Sequence, residues 1–298
     1  MLVYCNGDSF TAGVHLSDHV YPGFLGDFTR EELTTRASEI KRFMETKAEY
    51  AEKFVIADEL KNRTDRLEFF DKLGLGMNRV FGAINELEKH YSYTAELELL
   101  DSSIKTINNA VAGASMGGIC QRTLLDLLEL KSKNIKVDTV VIQLTSVGRY
   151  EIYDANYSYF LLDRPLGYFK SNNEHDKRIS DAVTLKYSNY DLTIKFLYHL
   201  ITLKEAVLSM TGKLPVLIDS MNSEHTVGLI QSSRAHIKIV NPDSLDKFDL
   251  LVEQSMINTA HHMFMFDLAK QVERPYSHDG HYSQAVHKLT AAELIKLL

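Results

Sequence analysis

A serine hydroxyl is a poor nucleophile until a base takes its proton, and a histidine oriented by a carboxylate is the usual base. The sequence carries both parts, far apart. Ser9 lies in Asn6-Gly7-Asp8-Ser9-Phe10-Thr11-Ala12-Gly13, directly after an apolar run. Asp279 and His281 lie in Ser277-His278-Asp279-Gly280-His281-Tyr282-Ser283. A serine on a glycine-bearing turn from a first strand into a helix turns its Oγ toward the crevice above the sheet. Its own backbone N–H, near a helix N-terminus, can help hold an oxyanion. Each segment alone also fits a plainer role. Asp8 or Ser9 can simply cap a helix, and the second segment can be a polar loop with surface histidines. Taken together they predict Ser9 Oγ and a His281 nitrogen within hydrogen-bond reach, the arrangement for acyl transfer. A phosphate-binding turn over Gly7 to Gly13 would need no such pairing. Neither a Walker-type Gly-Lys-Ser/Thr nor a Gly-x-Gly-x-x-Gly fingerprint is present to favour it.

Positioning these residues requires a sheet. Apolar runs at Leu2 to Asn6, Ile104 to Ile107, Thr139 to Leu144, Leu214 to Asp219 and His236 to Val240 read as strands. Thr139-Val140-Val141-Ile142-Gln143-Leu144 is β-branched and nearly all apolar, as a central parallel strand should be. Amphipathic stretches at Ser115 to Lys133, Leu185 to Met210 and Thr290 to Leu298 read as helices between or after them. Residues 28–100 are rich in Glu, Lys and Arg. Ile40, Phe43, Tyr50, Phe54, Leu67, Phe70 and Leu73 fall at helical spacing there, predicting two to four inserted helices that form a solvated packing layer, a lid or a partner surface. The expectation is one domain over 1–298, a three-layer α/β/α sandwich with a mainly parallel sheet of about five strands and a helical insertion.

Three segments, in order, resemble the signature blocks of the SGNH (GDSL-type) hydrolase superfamily. Gly7-Asp8-Ser9-Phe10-Thr11-Ala12-Gly13 resembles the first block. Asn108-Asn109-Ala110-Val111-Ala112-Gly113-Ala114-Ser115 resembles the second, an Asn followed by a Gly before a helix. Asp279 to His281 resembles the last. The resemblance covers the sheet core and leaves out the insertion. It implies a flavodoxin-like α/β fold and a serine esterase without metal or cofactor. Ser9 would attack an ester carbonyl. His281 would act as base and then as acid, with Asp279 orienting it. The backbone N–H groups of Ser9 and Gly113 would hold the oxyanion, and Asn108 would brace the loops.

Two positions depart from the family pattern. The third block normally offers Gly-x-Asn-Asp, whose Asn is the third oxyanion donor, and here Val147 stands where that Asn would be. Loss of one such donor costs on the order of 10²–10³ in rate, and Thr145, Ser146 or Arg149 are the candidates to compensate. The stretch Thr145-Ser146-Val147-Gly148-Arg149 is similar to one in SGNH-like proteins of tailed bacteriophages. The last block is usually Asp-x-x-His, and here it is one residue shorter, with His278 at the strict minus-three position. Both departures also suit a weakened SGNH fold used for binding or within a virion.

The remaining candidates have plain readings. His261-His262 reads as part of an amphipathic helix. His278 and His281 lack an evident third metal ligand. Arg149 suits a structural ion pair or a clamp on a substrate carboxylate or phosphate. The tyrosines between Tyr153 and Tyr159 suit a packed loop or a sugar platform. Cys5 and Cys120 sit in apolar segments and read as buried free thiols. With 33 basic and 40 acidic side chains, net charge −7, the chain has no basic block for nucleic acid. No signal-peptide pattern or membrane-length apolar run is visible, so a cytosolic protein is expected, or one released on lysis if phage-encoded. Its partner is expected to be a small-molecule or carbohydrate ester, with O-acyl groups on carbohydrate favoured.

Overall fold

The computed structural model describes residues 1–14, 16, 24–43, 45–46, 88–111, 114–145, 147, 149–153, 160–165, 189–220, 223–255, 262–277 and 280–298. Five strands form one sheet: β1 (Leu2–Asn6), β2 (Lys105–Asn108), β3 (Thr139–Leu144), β6 (Val216–Asp219) and β7 (His262–Phe264). All pair in parallel, in the order β2-β1-β3-β6-β7. A separate antiparallel pair, β4 (Arg149–Tyr153) and β5 (Phe160–Pro165), follows β3. This pair is not among the strands expected from the sequence, and 154–159 lie outside the described residues.

Side chains alternate across a strand, so an apolar run buried on both sides feeds two cores. Val3, Cys5, Val141, Val216 and Ile218 enter one cluster, while Tyr4, Val140, Ile142, Leu144 and Leu217 enter the other. The first face is covered by α3 (Tyr93–Leu100), α8 (Met265–Ala269) and α9 (Gln284–Leu294). The second is covered by α4 (Met116–Ser132), α5 (Asn189–Thr211), α6 (Ser223–Val240) and α7 (Leu245–Ser255). The fold is therefore a three-layer α/β/α sandwich around a five-stranded parallel sheet.

Helix α4 begins where its sequence says it should, with the Ser115 side chain accepting from Gly118 N at 3.1 Å. Strand β2 lies one residue later than expected, leaving Ile104 buried just before it.

Several expectations are corrected. His236 to Val240, read as the fifth strand, is the last part of α6. Its β-branched residues mimic a strand, but the buried positions run Ile230, Ser233, Ile237, at helical spacing, while Ile239 and Val240 face solvent. The fifth strand is β7, so His262 lies on a strand and not on an amphipathic helix. Three residues are too few for periodicity to reveal. The closing helix starts at Gln284, after the N-cap Ser283, and its buried stripe of Val286, Thr290, Ala291 and Leu294 explains the earlier start.

Of the proposed insertion, α2 (Arg30–Thr35) is an exposed charged helix with a capping box between Thr29 and Glu32. The end of that segment is not an outer layer. Tyr93 and Leu97 of α3 are fully buried against the sheet. Tyr50, Phe54, Leu67, Phe70 and Leu73 lie outside the described residues.

Candidate active site

The sheet's connections leave β1 in opposite directions, toward β2 on one side and β3 on the other. In open α/β sheets that reversal opens a crevice at the carboxyl ends of the strands. Ser9 stands there, three residues past the last residue of β1, at the start of the four-residue helix α1 (Ser9–Ala12).

The turn is built by its neighbours. Asn6 Oδ1 accepts from Gly7 N at 2.8 Å, and Asn6 Nδ2 donates to Thr123 Oγ1 of α4 at 2.9 Å. Gly7 is required by space: a Cβ there would stand 2.5 Å from Thr11 Oγ1 and 2.7 Å from Gln143 Cβ. Asp8 caps α1 by accepting from Phe10 N at 3.1 Å. Thr11 N donates to Gln143 Oε1 at 2.7 Å. The Phe10 and Thr11 N–H groups are thus taken by side chains, while a helix start leaves the Ser9 N–H without an intrahelical acceptor.

His281 Nε2 lies 2.7 Å from Ser9 Oγ, across a sequence separation of 272. With Nε2 unprotonated, the hydroxyl donates to it, which is the geometry for general-base activation. Ser9 itself is only 5% exposed. The loop that presents His281 is folded on itself. His281 O accepts from Ser277 N at 2.7 Å, and Gly280 N donates to Ser277 O at 3.0 Å. Gly280 sits at φ +88°, a left-handed conformation that suits glycine. The Phe10 ring packs 4.9 Å from the His281 ring and 5.0 Å from Tyr282. Tyr282 OH donates to Ser220 O, after β6, at 2.7 Å. The loop is also strapped to the segment before α2. Phe28 and Tyr276 exchange two backbone hydrogen bonds, and Arg274 pairs with Glu32 at 2.9 Å.

The other expected site residues are distributed as follows. Asn108 Nδ2 donates to Thr11 O at 2.8 Å and to Thr94 Oγ1 at 3.0 Å, linking β2 to the turn that carries Ser9 and to α3. Thr145 is buried, and its single hydroxyl proton goes to Asp8 Oδ2 at 3.1 Å. Val147 is buried in the apolar core with Leu144 and Met116. Arg149 opens β4, paired in register with Pro165. Gly113, Ser146, His278 and Asp279 lie outside the described residues.

Two residues near the site went unnoticed in the sequence. Gln143 is fully buried on β3. A lone amide in an otherwise apolar strand was the available signal, since a buried polar group needs partners. His287 on α9 is also buried. Its Nδ1 accepts from Tyr93 N at 3.1 Å, and its ring stacks on Tyr93, whose OH lies 3.0 Å from Thr11 Oγ1. Burial pushes its pKa down to about 3, with nearby His281 adding to the effect. It is therefore a neutral structural acceptor at physiological pH. Among the described residues no group of three His, Cys, Asp or Glu side chains could hold a metal ion, and no helix is long and apolar enough to cross a membrane.

No family model matches the chain, and no curated protein matches it. Among solved structures it is similar to TesA, at 10% identity over 100% of this chain and 98% of that one, with a TM-score of 0.43. It is also similar to the psychrotrophic esterase EstA from Pseudoalteromonas sp., inhibited by monoethylphosphonate. That match has 16% identity over 70% of this chain and 86% of that one, with a TM-score of 0.38.

Proposed function

We propose that this chain is a serine ester hydrolase of the SGNH type that works through an acyl-enzyme on Ser9. The observation that carries the reading is the 2.7 Å contact between Ser9 Oγ and His281 Nε2 at the carboxyl ends of a parallel sheet. In the first half-reaction the Ser9 hydroxyl proton passes to His281 Nε2 as Oγ bonds to the ester carbonyl carbon. The carbonyl oxygen then carries the negative charge and accepts from the Ser9 N–H. The imidazolium returns its proton to the leaving alcohol as the ester C–O bond breaks. Water, deprotonated by the same imidazole, then bonds to the acyl carbon; the bond from that carbon to Ser9 Oγ breaks, the imidazolium returns the proton to Oγ, and the acid leaves. Asp279 is the residue assigned to orient His281, and Gly113 N–H the second oxyanion donor, both from the family resemblance. O-acyl groups on carbohydrate are the favoured substrates, with a whole-chain hydrolase domain acting in the cytosol or after lysis of a phage host.

A second reading, a weakened SGNH fold that binds without turnover, is favoured by one observation. Val147 occupies the place of the family's oxyanion-binding Asn and lies in the core. The test is hydrolysis of an activated short-chain aryl acetate together with labelling by a fluorophosphonate. Wild type should turn over and label. Ser9→Ala should abolish labelling, and Ser9→Ala and His281→Ala should each lose at least ~10⁴-fold in kcat. Folded wild type that neither labels nor turns over would replace the hydrolase reading with the binding one.

A further inference from the structure

Resting on that reading, we infer that Gln143 is a positioning residue for the Ser9 nucleophile, the single side chain of β3 that fixes both flanks of the turn. Its amide is fully buried and engaged at both ends. Nε2, with two protons, faces three acceptors: Asp8 Oδ1 at 2.6 Å, Ser220 Oγ at 2.9 Å and Leu144 O at 3.1 Å. Oε1 accepts from Thr11 N at 2.7 Å and Thr11 Oγ1 at 2.8 Å. One end thus grips the residue before Ser9, and the other grips the residue two after it.

The two ends have opposite polarity, and so do their targets. Asp8 Oδ1 also accepts from Phe10 N, so it needs a donor opposite and not another acceptor. Thr11 N needs an acceptor, because an orphaned N–H in a buried turn is costly. A primary amide supplies a donor and an acceptor from one rigid neutral plane, and glutamine is the longer of the two side chains that carry one. Its reach from β3 allows it to meet both, and Gly7 leaves the space through which it passes. Thr145, the next residue but one, adds a second grip on Asp8 at Oδ2. Ser9 Oγ is thereby registered against His281 by the central strand of the sheet. Near-attack geometry is sensitive at this scale, since a displacement of about 1 Å can cost about 100-fold in rate.

The experiment compares Gln143→Met and Gln143→Asn with wild type, Ser9→Ala and His281→Ala. Methionine keeps the shape and removes both polar ends. Asparagine keeps the amide but is one methylene too short to reach Asp8 and Thr11 together. For each, the fluorophosphonate end-point counts folded, labelable sites. The labelling rate, kcat per labelled site and KM are then measured on an aryl acetate.

The expected result is a fall of about 10- to 100-fold in both labelling rate and kcat per labelled site, with KM moving less than threefold. A residue that only holds the fold together would lower the end-point and leave the rate per labelled site unchanged. A kcat per labelled site within twofold of wild type overturns the inference. If the methionine variant yields no folded protein, the asparagine variant decides by the same criteria. Full activity in Ser9→Ala would overturn the hydrolase reading, and this inference with it. Loss of activity there, beside unaffected Gln143 variants, overturns this inference alone.

Discussion

At the scale of single residues, Gly7 shows how tightly the turn that carries Ser9 is packed. Replacing it with alanine would drive a methyl group into Thr11 Oγ1 and the Gln143 side chain. Gly7→Ala should destabilise the fold by roughly 1–3 kcal/mol, the usual cost of overpacking, and slow fluorophosphonate labelling of Ser9. Urea denaturation and labelling on one preparation check both. The meeting of Ser9 and His281 was legible in the sequence, because a serine on a glycine-bearing turn and a histidine in a late polar loop are the parts that such a pairing needs. Gln143 was not. It lay in a run that reads as plain core, and its partners Asp8, Thr11 and Ser220 come from three separate segments. Val147 shows the converse. It sits among polar residues in a loop after β3, and only packing shows that the valine serves the core.

Among the elements, α3 was misplaced by the sequence and is the most informative. Its residues Glu96, Leu97, Glu98, Leu99 and Leu100 read as the end of a charged, peripheral segment. In the fold Leu97 is fully buried and Leu99 is 77% exposed. Leu97→Ala should therefore cost about 2–5 kcal/mol, while Leu99→Ala should stay within about 0.5 kcal/mol. Thermal or urea unfolding distinguishes them. Helix α3 also joins α9 through Tyr93 and His287. His287 is neutral in both folded and unfolded chains above pH 6.5, its ordinary value, so it adds no pH dependence there. Below that the unfolded chain binds a proton that the folded one refuses until about pH 3. Stability should thus fall by about 1.4 kcal/mol per pH unit as pH drops through this window, from this group alone. Denaturation midpoints at pH 7, 6, 5 and 4 should show that slope in wild type and a shallower one in His287→Gln. Strands β1 and β3 could be read from sequence because burial on both faces leaves a continuous apolar run. Strand β7, three residues long, and the β-branched end of α6 could not. Local pattern there is outweighed by which face meets the sheet.

For the whole molecule, the layer architecture was legible and the strand order was not. Alternating apolar runs and amphipathic stretches imply a covered parallel sheet. Nothing local says that β1 lies between β2 and β3, and that order creates the crevice in which Ser9 meets His281. The sequence separation of 272 between these two side chains also sets a schedule. At roughly 5–20 residues per second of synthesis, the codon for His281 is read about 14–54 s after the codon for Ser9. Throughout that interval the nascent chain carries a serine with no base beside it. Under the proposed mechanism, the newborn polypeptide cannot act on esters until the loop before α9 has emerged and docked, and any activity would arrive in one late step.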